Sequence, residues 1–312
     1  MGCSCRIDRK RGGEVKAQTK YAVSEEDMKR IEELLDADAV VRAPEGGIGT
    51  AFDGCDETRD FESAKSLLKE MAEAAVSWGG DSFAEFAFFN KQRIREAAAI
   101  VPEVVEVLIS GYRHGIADGS GACMNDLGAL YYMGDLVGQD YAKAAELYEM
   151  AADAGCYQSI INLGYIYEYG RTGAPDHLKA YRRYSLAAAL APSCEAVYKL
   201  GDMLSRGTAV ARDMKKAYRL YERSLELARD DAERAQPAVR IARMLIDPEC
   251  FSYGAESNPL RALSLFQQAE IGLRIDIAAG QTYYAKRLQE AIEGQVKAHE
   301  LMDVCGIDSY LE

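Results

Sequence analysis

The chain has 312 residues, 48% of them hydrophobic, and a net charge of -13 from 37 Lys and Arg against 50 Asp and Glu. That hydrophobic share supports a folded core and excludes wholesale disorder, while the acidic balance argues against nucleic acid as a partner, because such binding rests on neutralising phosphates. No run of about 18 apolar residues occurs, so no transmembrane helix is expected.

Residues 1–20 hold six Lys or Arg against two acidic residues and are expected to form a disordered basic tail. No apolar segment follows them, so no secretory signal is expected. Gly2, Cys3 and Cys5 ahead of basic residues suggest a lipid anchor. The myristoylation pattern needs Ser or Thr where Arg6 stands, and an unmodified tail is the expectation. Residues 21–59 read as a short helix over 24–39 followed by a Gly-rich loop. Gly46, Gly47 and Gly49 lack the Gly-Lys-Ser/Thr of a phosphate loop and read as a connection.

From 60 to 119 the chain reads as degenerate helical hairpins. Asp60–Gly80 gives one helix with Ala64 on its inner face, 83–100 a second, and 104–119 a third with Leu108 in the equivalent place. From 120 to 228 the pattern sharpens into three copies, spaced 36 and then 37 residues apart. The first carries Leu127, Gly128, Tyr131, Gly134 and Asp140. The second has Leu163, Gly164, Tyr167, Gly170 and Asp176, and the third Leu200, Gly201, Leu204, Gly207 and Asp213. Each Asp precedes an amphipathic run, where its carboxylate can accept the unpaired N–H groups of a first helical turn. Ala144, Ala180 and Ala217 let neighbouring helices approach, and Tyr148, Tyr184 and Tyr221 follow four residues later on the same face. Gly134, Gly170 and Gly207 suit a helix end with positive φ. Gly128, Gly164 and Gly201 lie within the helical pattern, where Gly costs on the order of 1 kcal/mol against Ala. A tight helix crossing is the expected compensation.

Residues 229–275 read as a degenerate repeat whose first helix starts at Pro237, with Ile241 and Ala242 replacing Leu and Gly. Its second helix is capped by Asn258, with Pro259 in the first turn and Ala262 in phase. Residues 276–312 read as a capping helix interrupted near Gly294. A period of this length signals stacked helical hairpins, an architecture that usually supplies a binding surface.

These residues resemble Sel1-like repeats, a tetratricopeptide-related family of helical hairpins. Leu127-Gly128, Tyr131, Gly134, Asp140, Lys143-Ala144, Tyr148, Ala151-Ala152 and Gly155 carry the pattern in full. The second copy has Ala191 for the closing Gly. The third has Leu204 for Tyr and Ser224-Leu225 for the Ala pair. The resemblance implies an all-α fold, a right-handed superhelical solenoid of stacked antiparallel hairpins, and an adaptor role in protein assemblies. A secreted branch with paired cysteines, linked to penicillin or peptidoglycan binding, does not fit this chain.

The eight cysteines (3, 5, 55, 123, 156, 194, 250 and 305) occupy no equivalent repeat positions and read as small buried hydrophobes in a reducing, cytoplasmic compartment. His114, His177 and His299 are widely separated without metal-ligand spacing, and His177 is expected to be exposed. No cofactor, metal or catalytic group is expected. Binding is the expected activity, with a protein or an extended peptide lying on the concave face of the first helices. The candidates are Asn125, Asp126, Tyr132, Met133, Asn162, Tyr165, Tyr169, Lys199, Asp202 and Met203, a mix of aromatic and polar side chains suited to an interface. A structural or regulatory subunit of a larger assembly is the second reading, and an enzyme the third.

Overall fold

A computed structural model describes residues 24–34 and 56–305. The basic tail with Gly2 and Cys3, the Gly-rich loop and the last residues of the chain lie outside the described residues. Among the described residues there are 14 α-helices, two 3-10 turns and no strand. In chain order the helices are α1 (Glu25–Leu34), α2 (Asp56–Ser77), α3 (Gly80–Phe89), α4 (Lys91–Ile100), α5 (Glu103–Ala117), α6 (Gly121–Met133) and α7 (Tyr141–Asp153). They continue as α8 (Tyr157–Glu168), α9 (His177–Leu190), α10 (Cys194–Arg206), α11 (Met214–Leu227), α12 (Asp231–Leu245), α13 (Pro259–Ala278) and α14 (Ala285–Cys305). The chain divides into two units, the first ending at Ile166 and the second beginning at Tyr167, within α8.

The repeats close by one recurring device. In the first copy Gly134 ends α6 at φ 74°, and the Asp140 N–H returns to the Tyr131 carbonyl at 2.9 Å. The Asp140 carboxylate then accepts from Ala142 N at 3.1 Å and Lys143 N at 3.0 Å, starting α7. The other two copies repeat this. Asp176 N–H reaches Tyr167 O at 2.8 Å, and Asp213 N–H reaches Leu204 O at 3.0 Å. Their carboxylates accept from Lys179 N and Lys216 N, each at 2.9 Å. The Lys of the Lys-Ala pair also has work at this corner. Lys143 Nζ lies 5.1 Å from the Tyr131 ring and Lys179 Nζ 5.4 Å from the Tyr167 ring, within cation–π range. The aromatic, or Leu204 in the third copy, stands nine positions before the Asp because one backbone hydrogen bond must join them.

The glycines inside the first helices make room for a ring. A Cβ on Gly128 would sit 2.9 Å from Tyr148 Cε1, and one on Gly201 would sit 2.5 Å from Tyr221 Cε1. The expected tight crossing is therefore side chain against backbone in these two copies: Tyr148 lies across Gly128, and Tyr221 across Gly201. Packing, which loses stability at any void or overlap, overrides helix propensity here. The same solution appears outside the three clear copies, with Gly111 under the Phe83 ring and Gly294 under the Phe266 ring.

In the first unit the core contains Leu67, Leu68, Met71, Phe83, Ile94, Leu108, Ile116 and Leu127. The single helix expected over 83–100 is two helices. Asn90 leaves helical geometry at φ -102°, ψ 11°, donates from Nδ2 to Phe86 O at 2.9 Å and accepts from Arg93 at 2.8 Å. An Asn side chain that bonds nearby backbone competes with the helix.

In the second unit Tyr198, Tyr221, Ile241, Phe266, Ala269 and Leu273 anchor the core. Helix α12 starts at Asp231 under an Asp230 cap and carries Pro237 inside it, rather than starting at the proline. Pro237 has no N–H for the Glu233 carbonyl one turn earlier. The Cys194 thiol donates to that oxygen instead, at 3.2 Å. The C-terminal break also falls elsewhere than expected. Helix α13 runs on to Ala278, a 3-10 turn spans Thr282–Tyr284, and α14 passes through Gly294 without interruption. Ala64, Leu108, Ala144, Ala180, Ala217 and Ala262, the positions marking the repeat phase, are all buried.

Candidate binding face of the first helices

Aligning the copies on their Leu-Gly pair brings two positions to notice. One stands directly before the Leu and is occupied by Asp126, Asn162, Lys199 and, in the degenerate copy, Arg240. The other stands just before the turn glycine and is occupied by Met133, Tyr169 and Arg206.

In the first unit the inner position is wired through amides. Asn162 Nδ2 donates to Asn125 Oδ1 at 2.9 Å, and Asn125 Nδ2 donates to Asp126 Oδ1 at 3.0 Å. In the second unit it is wired through ions. Lys199 is only 3% exposed and sits 2.6 Å from Glu168 Oε2; Arg206 Nη2 holds the other oxygen of Glu168 at 2.8 Å. Arg240 grips Asp202 with two bonds, Nε to Oδ1 at 2.6 Å and Nη2 to Oδ2 at 2.7 Å. Tyrosine hydroxyls complete both carboxylates: Tyr184 donates to Glu168 at 2.7 Å and Tyr221 to Asp202 at 2.9 Å. Rings enclose the cations. Lys199 Nζ is 5.3 Å from the Tyr184 centroid and 5.4 Å from that of Tyr169, and the Arg240 guanidinium is 4.6 Å from that of Tyr198.

The protonation states follow. Burial alone would raise the Asp202 carboxyl, but the charge and hydrogen bonds of Arg240, with Lys199 and Arg206, outweigh it and hold the group at about 2. Glu168 is likewise lowered against its burial, by Lys199, the Tyr184 hydroxyl and Arg206. Burial pushes the Tyr184 and Tyr221 hydroxyls up, and the adjacent carboxylates add to this, so both remain donors.

Several expected surface residues therefore belong to the interior. Met203 is wholly buried, Asn125 nearly so, and Lys199 is a buried member of an ion network. Asp202 is committed to Arg240. Their first helices are covered further round than the periodicity suggests, because the Tyr rings of the second helices lie over them. Asp126, Asn162, Tyr132 and Tyr165 are half-buried, with Tyr132 edge-on to Tyr141 at 5.3 Å. Met133 is 45% exposed and Tyr169 50% exposed, and the Arg206 side chain is 45% exposed. Glu168, Arg206 and Arg240 were not singled out from sequence. The available signal was the repeat register, which sets Arg240 beside Lys199.

The chemistry for catalysis is sparse. Burial raises the Cys123 thiol to about 12 and the Cys194 thiol to about 11, the opposite of an activated nucleophile. Among the described residues no group of three His, Cys, Asp or Glu could hold a metal ion. His177, expected on the surface, is half-buried with its Nδ1 out of contact with solvent. No helix among the described residues is long and apolar enough to cross a membrane.

The Sel1 repeat model matches residues 121–156, 158–192, 194–228 and 242–270. The all-α chain thus carries four Sel1 repeats between residues 121 and 270. Similar solved structures include c5321, described as a protective antigen present in uropathogenic Escherichia coli strains and displaying an SLR fold. It is 20% identical over 89% of this chain and 56% of its own length, with a TM-score of 0.49. A Sel1 repeat protein from Oxalobacter formigenes is 22% identical over 70% of this chain and 82% of its own, with a TM-score of 0.46. This chain thus spans 56% of the antigen's length. Comparison with curated proteins finds no match.

Proposed function

We propose that the chain is a non-catalytic scaffold that binds a partner protein or extended peptide through the turn-side ends of its first helices. One observation carries this reading. The residue just before the turn glycine is exposed in all three clear copies and is Met, Tyr and Arg in turn, types enriched in interface cores. The residues around it are fixed by caps, cation–π pairs and buried ions. Each copy thus holds a variable side chain at the same place in its own hairpin, the usual division of labour in a repeat protein. A cytoplasmic setting fits Cys123, Cys156, Cys194 and Cys250, whose buried thiols are joined by no disulfide among the described residues.

Affinity capture with crosslinking tests it. Met133→Ala/Tyr169→Ala is expected to lose the partner that the unaltered chain retains, with helical content unchanged; undiminished capture would place the working surface elsewhere. The purified protein is also expected to turn over no generic ester, phosphoester or β-lactam. Turnover abolished by one substitution would overturn the non-catalytic reading.

A further inference from the structure

The third clear copy departs from the first at two solvent-facing positions of the same corner. Where the first has Met133 and Gln139, the third has Arg206 and Arg212. The structural task at the second position needs no charge. Gln139 Nε2 donates to the Tyr132 carbonyl at 3.0 Å, and Arg212 Nε donates to the equivalent Ser205 carbonyl at 3.1 Å. A neutral amide closes the helix end as well as a guanidinium does. The added charge therefore has no role in closing the turn.

Other cations gather beside it within the second unit. Arg171 stands 5.5 Å from the Tyr169 ring centroid, and Lys199 lies 5.4 Å from the same ring. Arg206 shares Glu168 with Lys199, so two cations meet one carboxylate, and the other carboxylate, Asp202, is gripped by Arg240. Arg171, Arg206 and Arg212 are all exposed. Two of them are held in place by bonds to helix-end carbonyls, Arg206 to Asp202 O at 3.1 Å and Arg212 to Ser205 O, which reduces the entropy lost on binding. On a chain of net charge -13, a fixed cationic edge around an exposed aromatic is a local reversal of sign.

We propose that Tyr169, Arg171, Arg206 and Arg212 form a docking edge for a carboxylate-rich linear segment of a partner protein. Guanidinium groups pair with carboxylates through parallel N–H donors, and the Tyr169 ring offers an apolar surface between them. The proposal rests on the scaffold reading above and specifies the partner's chemistry.

The probe is an array of short synthetic peptides rich in Asp and Glu, each beside a copy with Asn and Gln in their place. Binding of the full chain is read by fluorescence anisotropy. The unaltered chain is expected to prefer the acidic members, more weakly as salt rises. Arg171→Gln/Arg212→Gln, which leaves the buried ion network intact, is expected to weaken them by about ten-fold. Arg182→Gln/Arg223→Gln, on the exposed sides of α9 and α11, is expected to change little. Equal binding of the amide copies, lost on Met133→Ala, would overturn the acidic partner and leave the scaffold reading standing. Equal weakening by both Arg pairs, or equally tight binding of a single-stranded oligonucleotide, would overturn the edge as a specific site. Binding of no peptide at all would overturn the edge together with the peptide reading.

Discussion

The first unit fills the position before the repeat leucine with Asp126 and Asn162, and the second fills it with Lys199 and Arg240. The backbone setting is equivalent and the wiring is not. Amides that bond one another need little compensation when taken from water, because an amide is both donor and acceptor. A buried cation must find a carboxylate, and the carboxylate must have its remaining lone pairs satisfied. The second unit therefore carries Glu168 and Asp202 as counter-charges, with the Tyr184 and Tyr221 hydroxyls as further donors. A tyrosine that serves as a packing residue in the first copy becomes a hydrogen-bond donor to an anion in the later ones. Repeats constrain shape strongly and leave the polar wiring open to change.

The largest expected effect separates the two wirings. Asp202→Ala strands Arg240 in the interior and is expected to cost about 3–5 kcal/mol in chemical denaturation, whereas Asn162→Ala in the first unit should cost about 1 kcal/mol. Equal losses would show that the ion pair is no more demanding than the amide pair.

Acid should distinguish the units next. The Asp202 carboxyl is depressed from 3.8 to about 2. Its contribution is therefore complete above 3.8 and is lost as pH falls through that interval, on the order of 2 kcal/mol. Glu168, also lowered, acts in the same direction. Hydrogen exchange across that range should show protection failing in α10 and α12 before α6. The reverse order would contradict the assignment.

Smaller differences test the ring-over-glycine packing. Gly201→Ala must displace the Tyr221 ring, which is itself tied to Asp202, and is expected to lower stability by about 1–2 kcal/mol after the gain in helix propensity. At Gly128 the Tyr148 ring is further away, so Gly128→Ala should fall near zero; a larger loss there than at Gly201 would count against this packing. Removing a cap is expected to be the mildest change and the same in every copy. Asp140→Ala, Asp176→Ala and Asp213→Ala should each cost about 1 kcal/mol, read from thermal melts.

The repeat core was legible in sequence because its constraints are local. A cap, a turn glycine and an aromatic must stand at set distances for one backbone bond, Asp140 N–H to Tyr131 O and its counterparts, to close each hairpin. Features that depended on side-chain competition or distant partners were not legible. Asn90 splits the single helix expected over 83–100 by bonding the Phe86 carbonyl. Pro237 sits inside a helix because Cys194, 43 residues earlier in the chain, supplies a substitute donor. Exposure was legible at Met133 and Tyr169. At Lys199, Asp202 and Met203 it was not, since helical periodicity gives a direction but not how far the neighbouring rings reach.

The most direct test of the binding face replaces single residues with a photoreactive phenylalanine analogue and compares two sets of exposed positions. Met133, Tyr169 and Arg206 stand just before the turn glycines, while Leu178, Leu186 and Leu190 lie along the second helix α9. With the captured partner present, crosslinks are expected from the first set and not from the second. Crosslinks confined to the leucines of α9 would contradict the turn-side face as the place where this protein binds.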